Sequence, residues 1–205
     1  MRLIKMLGLT AVAAMAAMAF VGASTASAET GNVVLCEIAE LECTEDAYPN
    51  PTTIVGHSSS PELHTSVGTV VCDESLAELT VLNELAPSAV GHIKALEFKG
   101  NCKLGSTSCT VSVIKLGLVN IVHGANALEA LATSDGNTEA TVKCGSLINC
   151  TYGGKPVLQV VSLEDGMTHL FTNETELLLA KGFFCPKNSK WDADYLGLGT
   201  YYIES

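Results

Sequence analysis

The sequence predicts an all-β domain, an antiparallel β-sandwich stapled by disulfides. Three observations carry this. Runs such as SVGTVVC, CTVSVIKLGLVNIV and GTYYIES are rich in β-branched and aromatic residues, which fit a pleated, half-buried surface. TEATVKC alternates strictly, with Thr138, Ala140, Val142 and Cys144 on one face and Glu139, Thr141 and Lys143 on the other. Eight cysteines, an even number, follow a leader of the kind that directs export, where thiols oxidise.

In chain order, the leader comes first. MRLIK carries two positive charges, residues 6–22 are an uninterrupted apolar and small run, and ASTASA ends in Ala26-Ser27-Ala28. These are the n-region, h-region and A-x-A site of a secretory signal peptide over residues 1–28. The run is short for a membrane span, and no cysteine behind the site offers a lipid anchor. Residues 29–205 then read as a single secreted β domain, its segment 29–47 an N-terminal arm. Glu37, Glu40, Glu42, Glu45 and Asp46 make that arm charged and exposed.

Farther along, GHSSSPELHTS (56–66) reads as a polar loop. SLAELTVLNELA (75–86) and ANALEALATS (125–134) combine helix formers with near-helical apolar spacing, so one or two short helices and plain strands are both open there. Asp135-Gly136 and Asp165-Gly166 are the dipeptides of two-residue hairpin turns. Asp192-Ala193-Asp194 reads as a solvated turn beside Trp191 and Tyr195.

Cysteine spacing separates staples from other chemistry. No C-x-x-C occurs, and no histidine falls inside Cys36–Cys43, Cys102–Cys109 or Cys144–Cys150, so redox and zinc sites are disfavoured. Each of these pairs encloses a short loop whose ends can lie one strand spacing apart. The expected pairing is therefore Cys36–Cys43, Cys102–Cys109 and Cys144–Cys150, leaving Cys72 with Cys185. A competing arrangement joins Cys72 to Cys102 across neighbouring strands and Cys109 to a later cysteine.

Charge narrows the partners. Without residues 1–28, which hold Arg2 and Lys5 and no acid, the net charge moves from −11 to −13 and no arginine remains. Nucleic-acid binding needs cationic density and arginine forks, so it is not expected. The same repulsion disfavours docking on anionic lipid.

Local catalytic signatures fail in turn. Gly56-His57-Ser58-Ser59-Ser60 lacks the second glycine of a nucleophile elbow. His57, His64, His92, His123 and His169 show no metal-ligand spacing. Asp192 and Asp194 open a Ca²⁺-like loop with Gly197 at its sixth place, but Ile203 stands where the twelfth needs Glu. No catalytic residue, metal or cofactor is expected. Paired carboxylates for glycoside chemistry remain a question of distance.

The stretches TVKCGSLINCTY, EFKGNC, CTVSV, AYPNPTTI, GTVVC and CPKNSKWDADY resemble an uncharacterised family of secreted, cysteine-containing proteins of high-GC Gram-positive (actinobacterial) soil bacteria. The resemblance runs from about Tyr48 to Ile203. It implies an exported, disulfide-bonded, mainly β domain and brings no catalytic residue. The expectation for function is a secreted binding or surface-structural module that contacts a cell-wall polymer, a small ligand or another copy of itself. The alternative is a secreted hydrolase with a site assembled from dispersed residues.

Overall fold

The computed structural model describes residues 32–37, 47–84, 86–124, 129–155, 157–162, 168–197 and 202–204. Among them there are sixteen strands and no helix. The first six are β1 (Val34–Cys36), β2 (Thr52–Ser59), β3 (Glu62–Thr65), β4 (Gly68–Val71), β5 (Glu74–Leu82) and β6 (Ser88–Lys99). Next come β7 (Cys102–Leu104), β8 (Thr107–Lys115), β9 (Leu118–His123), β10 (Glu129–Ser134) and β11 (Glu139–Cys144). The last five are β12 (Ile148–Gly153), β13 (Val157–Ser162), β14 (Thr168–Phe183), β15 (Asn188–Gly197) and β16 (Tyr202–Glu204).

β1 and β16 form a small sheet of their own. The other strands close into a ring, all antiparallel, which the β14–β15 pairing cuts across. Two eight-strand circuits result, sharing the β14–β15 hairpin. The first runs β10, β13, β14, β15, β2, β5, β6, β9; the second runs β14, β12, β11, β8, β7, β4, β3, β15. Sharing works because β14 is sixteen residues long: its start pairs with β13 and its end with β12. β15 likewise offers Ser189–Asp192 to β3 and its last two residues to β2. A register shift between Thr172 and Thr175 lets the hairpin bend from one circuit into the other.

The expected sandwich is thereby corrected to a closed, barrel-like sheet. Inward–outward alternation is the same in both architectures. They differ in whether edge strands stay open, and here β9 meets β10 while β3 meets β15, so the backbone groups of both would-be edges are paired.

Several local expectations change with the closure. Residues 74–82 are the strand β5, with Ser75, Ala77 and Val81 buried at alternating positions. β5 pairs with β2 on one side and β6 on the other, and two full ladders outweigh helix propensities of a few tenths of a kcal/mol per residue. Residues 129–134 are β10 for the same reason, while 125–128 lie outside the described residues. The supposed loop 56–66 is the end of β2 and all of β3, broken only at Ser60 and Pro61. Asp192–Asp194 sits inside β15 rather than in a turn. Asp135-Gly136 is no hairpin, because β10 and β11 do not pair; it carries the chain from the first circuit to the second. β13 and β14 do form a hairpin, with Asp165-Gly166 in the part of its loop outside the described residues.

The cysteine pairing is corrected too. The disulfides are Cys72–Cys102, Cys109–Cys144 and Cys150–Cys185. Cys36 is also disulfide-bonded, and its expected partner Cys43 lies outside the described residues. Cys102 and Cys109 do face each other across a tight hairpin, whose turn is Gly105-Ser106 with Gly105 at φ 59°. That turn explains why they do not bond. A two-residue hairpin makes the flanking pair Leu104·Thr107 hydrogen-bonded, so by alternation Cys102·Cys109 is hydrogen-bonded as well. Each cysteine then has its closer, non-hydrogen-bonded neighbour on its other side. These neighbours are Cys72 and Cys144, at Cα separations of 3.9 and 4.1 Å. Cys144 and Cys150 are out of register, since Cys150 stands opposite Val142. Cys150 reaches Cys185 instead, across Gly182, where any Cβ would collide with the Cys185 sulfur.

Each circuit has its own core. Val81, Ala89, Val119, Ile121, Ala130 and Ala132 pack inside the first. Val33 and Leu35 join them, so part of the expected 29–47 arm is buried in the barrel. Asn83 fixes that segment: its Oδ1 accepts from Leu35 N at 2.7 Å, and its Nδ2 donates to Leu35 O and Tyr48 O. The disulfide cysteines, with Val70, Val142 and Tyr152, fill the second circuit.

Candidate functional site

The first circuit encloses a cavity of about 130 Å³. Its origin lies in which residues the alternation turns inward. Gly56 on β2, Ala77 on β5 and Ala132 on β10 stand at positions where larger side chains would meet in the middle. Leu79, Ile93, Leu96 and Leu170 help make the lining almost wholly apolar among the described residues, with Ser134, Thr138 and Thr168 its aliphatic hydroxyls. Several of the lining side chains, Ile54, Leu79, Ile93 and Leu170 among them, are only partly buried although they point inward.

Trp191 and Tyr195 form one wall. Their rings meet edge to face at 6.0 Å, and Trp191 also lies 6.5 Å from Phe98. Trp191 lines both this cavity and a smaller one of about 50 Å³ in the second circuit, so the indole is the partition between them. The Tyr195 hydroxyl is buried and bonded to Ser75 Oγ at 2.8 Å. Burial pushes its phenol far up and the Ser75 bond draws it partly back, so it stays protonated.

The β6 pairing with β9 stops at His92·Leu118, and the Ile93 N–H still reaches across, donating to Gly117 O at 3.2 Å. A polar crevice lined by His92, Lys115, Asp135 and Asn137 lies here, and Ile93 lines both it and the cavity. Partial burial acts to raise the Asp135 pKa. The backbone and side-chain N–H groups of Asn137, at 3.0 and 2.7 Å, outweigh it and hold the carboxyl below its ordinary range.

The histidines do not converge. His57 Nε2 lies 3.2 Å from Glu74 and His169 Nδ1 2.9 Å from Asp194, in cross-strand pairs with no hydroxyl bonded to either ring among the described residues. His64 comes nearest to a catalytic constellation. Its Nδ1 lies 3.1 Å from Thr69 Oγ1 and its Nε2 3.3 Å from Glu62, an order of hydroxyl, imidazole and carboxylate. Neither His64 nor Thr69 lines the cavity of either circuit. Both stand mid-strand in a β3–β4 ladder whose N–H groups are already engaged, so no oxyanion donors are at hand. Among the described residues no three His, Cys, Asp or Glu side chains are placed to hold a metal. Asp192 and Asp194 cannot wrap an ion, because an extended strand holds them straight.

The cavity had one signal in the sequence, the small residues Gly56, Ala77 and Ala132 at inward strand positions. Only the closed sheet shows that these positions face one another. Comparison with known protein families, with characterised proteins and with solved structures finds no match.

Proposed function

We propose that this chain is an exported, disulfide-braced binding module that holds a small apolar molecule, or the apolar end of a larger one, inside the first circuit. The observation that carries this is the cavity of about 130 Å³ with its almost purely apolar lining. A void of that size left empty costs about 3 kcal/mol at roughly 24 cal/mol per Å³. A ligand the size of one aromatic ring or a short branched alkyl chain recovers that loss through burial and dispersion contacts. Apolar cavities of this order stay dry and accept such molecules. Three intramolecular disulfides fit an oxidising compartment. The acid–base pairs lie outside the cavity, so binding and not hydrolysis is the chemistry this interior offers.

Thermal unfolding with and without dissolved benzene, toluene and short branched alkanes tests the reading. A ligand at a hundred times its Kd stabilises by about 2.7 kcal/mol, a rise of roughly 5–10 °C for a chain of this size. Polar molecules of equal volume leave the transition where it was. If no apolar molecule of this size raises the melting temperature, the binding reading fails.

A further inference from the structure

The second circuit carries a surface that net charge conceals. β14 runs toward its junction with β15, and antiparallel pairing fixes every other strand direction around this circuit. All four of its hairpin turns therefore fall at one end: Ser66-Val67, Gly105-Ser106, residues 145–147 and residues 184–187. Three neighbouring tips bear bare apolar side chains: Val67 at 57%, Leu147 at 84%, and Phe183 and Phe184 at 85% and 93% exposure. The last three are the most exposed large hydrophobic residues described. Phe184 is also held at φ 59°, a conformation unusual for a bulky side chain.

Charge is sorted along the same axis. Within two residues of the strand ends at these turns stand exposed Lys103, Lys143, Lys181 and Lys187 and no acid, whereas Lys99 and Lys115, at the far ends of their strands, are paired with Glu97 and Glu139. The nearest carboxylates along these strands, Glu62, Asp73 and Asp192, are set back by three residues or more, about 10 Å at 3.3 Å per residue. That exceeds a Debye length at physiological salt, so these carboxylates are largely screened from whatever this end touches.

We infer that this end of the barrel docks on an anionic lipid bilayer surface. Phe183, Phe184 and Leu147 enter the boundary between headgroups and acyl chains, and the four lysines contact lipid phosphates behind them. Apolar tips with a cationic collar match the layering of an anionic membrane, apolar beneath and negative above. A net charge of −13 after residue 28 does not oppose this docking, because no described carboxylate on the second circuit's strands stands closer than three residues to the strand ends that carry the tips.

The test is sedimentation of the exported protein with vesicles of pure phosphatidylcholine and with vesicles containing phosphatidylglycerol, across a salt series. Binding is expected to the anionic vesicles, to weaken with salt, and to fall about tenfold or more in K143Q/K181Q/K187Q, at about 1 kcal/mol per lysine near such a surface. F183S/F184S is expected to lose about tenfold or more as well, with an unchanged melting temperature because both rings are already in water. L147S, on a separate hairpin, reports independently of any local effect at the 184–187 turn. Absence of vesicle binding overturns the inference, and so does binding that the aromatic substitutions leave intact. Equal binding to soluble polyphosphate by wild type and F183S/F184S, without vesicle binding, points to an anionic polymer and also overturns it. So does self-association abolished by these substitutions in the absence of lipid.

Discussion

Filling the cavity of the first circuit is the most direct perturbation of its proposed role. Ala77 and Ala132 line the cavity from separate strands, β5 and β10, and are 7% and 2% exposed. Replacing both with valine adds four carbons to the interior. At about 0.8 kcal/mol per buried methylene the gain is about 3 kcal/mol. The empty space itself accounts for about 3 kcal/mol at roughly 24 cal/mol per Å³, so the two magnitudes agree. Valine also suits strand positions, so neither exchange strains the backbone. In a chain of this length such a gain raises the melting temperature by roughly 6–12 °C, read by circular dichroism. The same variant should no longer respond to benzene or toluene, because the room is taken. Destabilisation of the double variant would mean that the inward faces are already packed to contact, and the ligand reading would fall with the cavity.

Two further outcomes follow from the bonding. Non-reduced peptide mapping should join Cys72 to Cys102, Cys109 to Cys144 and Cys150 to Cys185; because these bridges span 30, 35 and 35 residues, replacing each pair with alanine should cost nearly the same, about 4 kcal/mol in the chain-entropy account. A peptide joining Cys102 to Cys109, or one pair far more costly than the others, would contradict the hydrogen-bond alternation that sets the pairing. Asp73 accepts from the backbone and side chain of Asn101, at 2.7 and 3.1 Å, and these bonds, more than the nearby Lys103, hold its carboxyl below the ordinary value. A depressed carboxyl stabilises above its unfolded pKa and loses that contribution as pH falls through its folded one. The melting-temperature advantage of wild type over D73A should be full above about pH 5 and shrink on acidification; an advantage that grows in acid would refute the assignment.

Much of the local structure was legible because strand alternation is a local property. Val142 and Cys144 on β11 face inward and Lys143 outward, as TEATVKC reads. SLAELTVL was ambiguous for a physical reason. Leucine, alanine and glutamate suit a helix, yet Ser75, Ala77 and Val81 also lie at even spacings, and only the two neighbouring strands decide between the periods. The polar stretch 56–66 misleads similarly. His57, His64 and Glu62 are outer-face residues of β2 and β3, and a strand with a wet face looks like a loop when its partners are unseen. The hydrogen-bond phase at Gly105-Ser106 could have been read from the turn length, but its consequence needed Cys72 and Cys144 placed on either side.

An all-β chain, an even set of cysteines and a charge imbalance of −11 are all readable along the chain, because composition and period-two patterning are properties of residues and their nearest neighbours. Tertiary structure alone decided three things. It closed the sheet, since two edges become partners only when strands far apart in the chain meet. It chose the disulfides, since each of the three described bridges joins different hairpins and not the two sides of one. It also made a cavity among scattered glycine and alanine positions and gathered Lys103, Lys143, Lys181 and Lys187 at one end of the second circuit. A void and a field both depend on distances across the fold, which chain order does not contain.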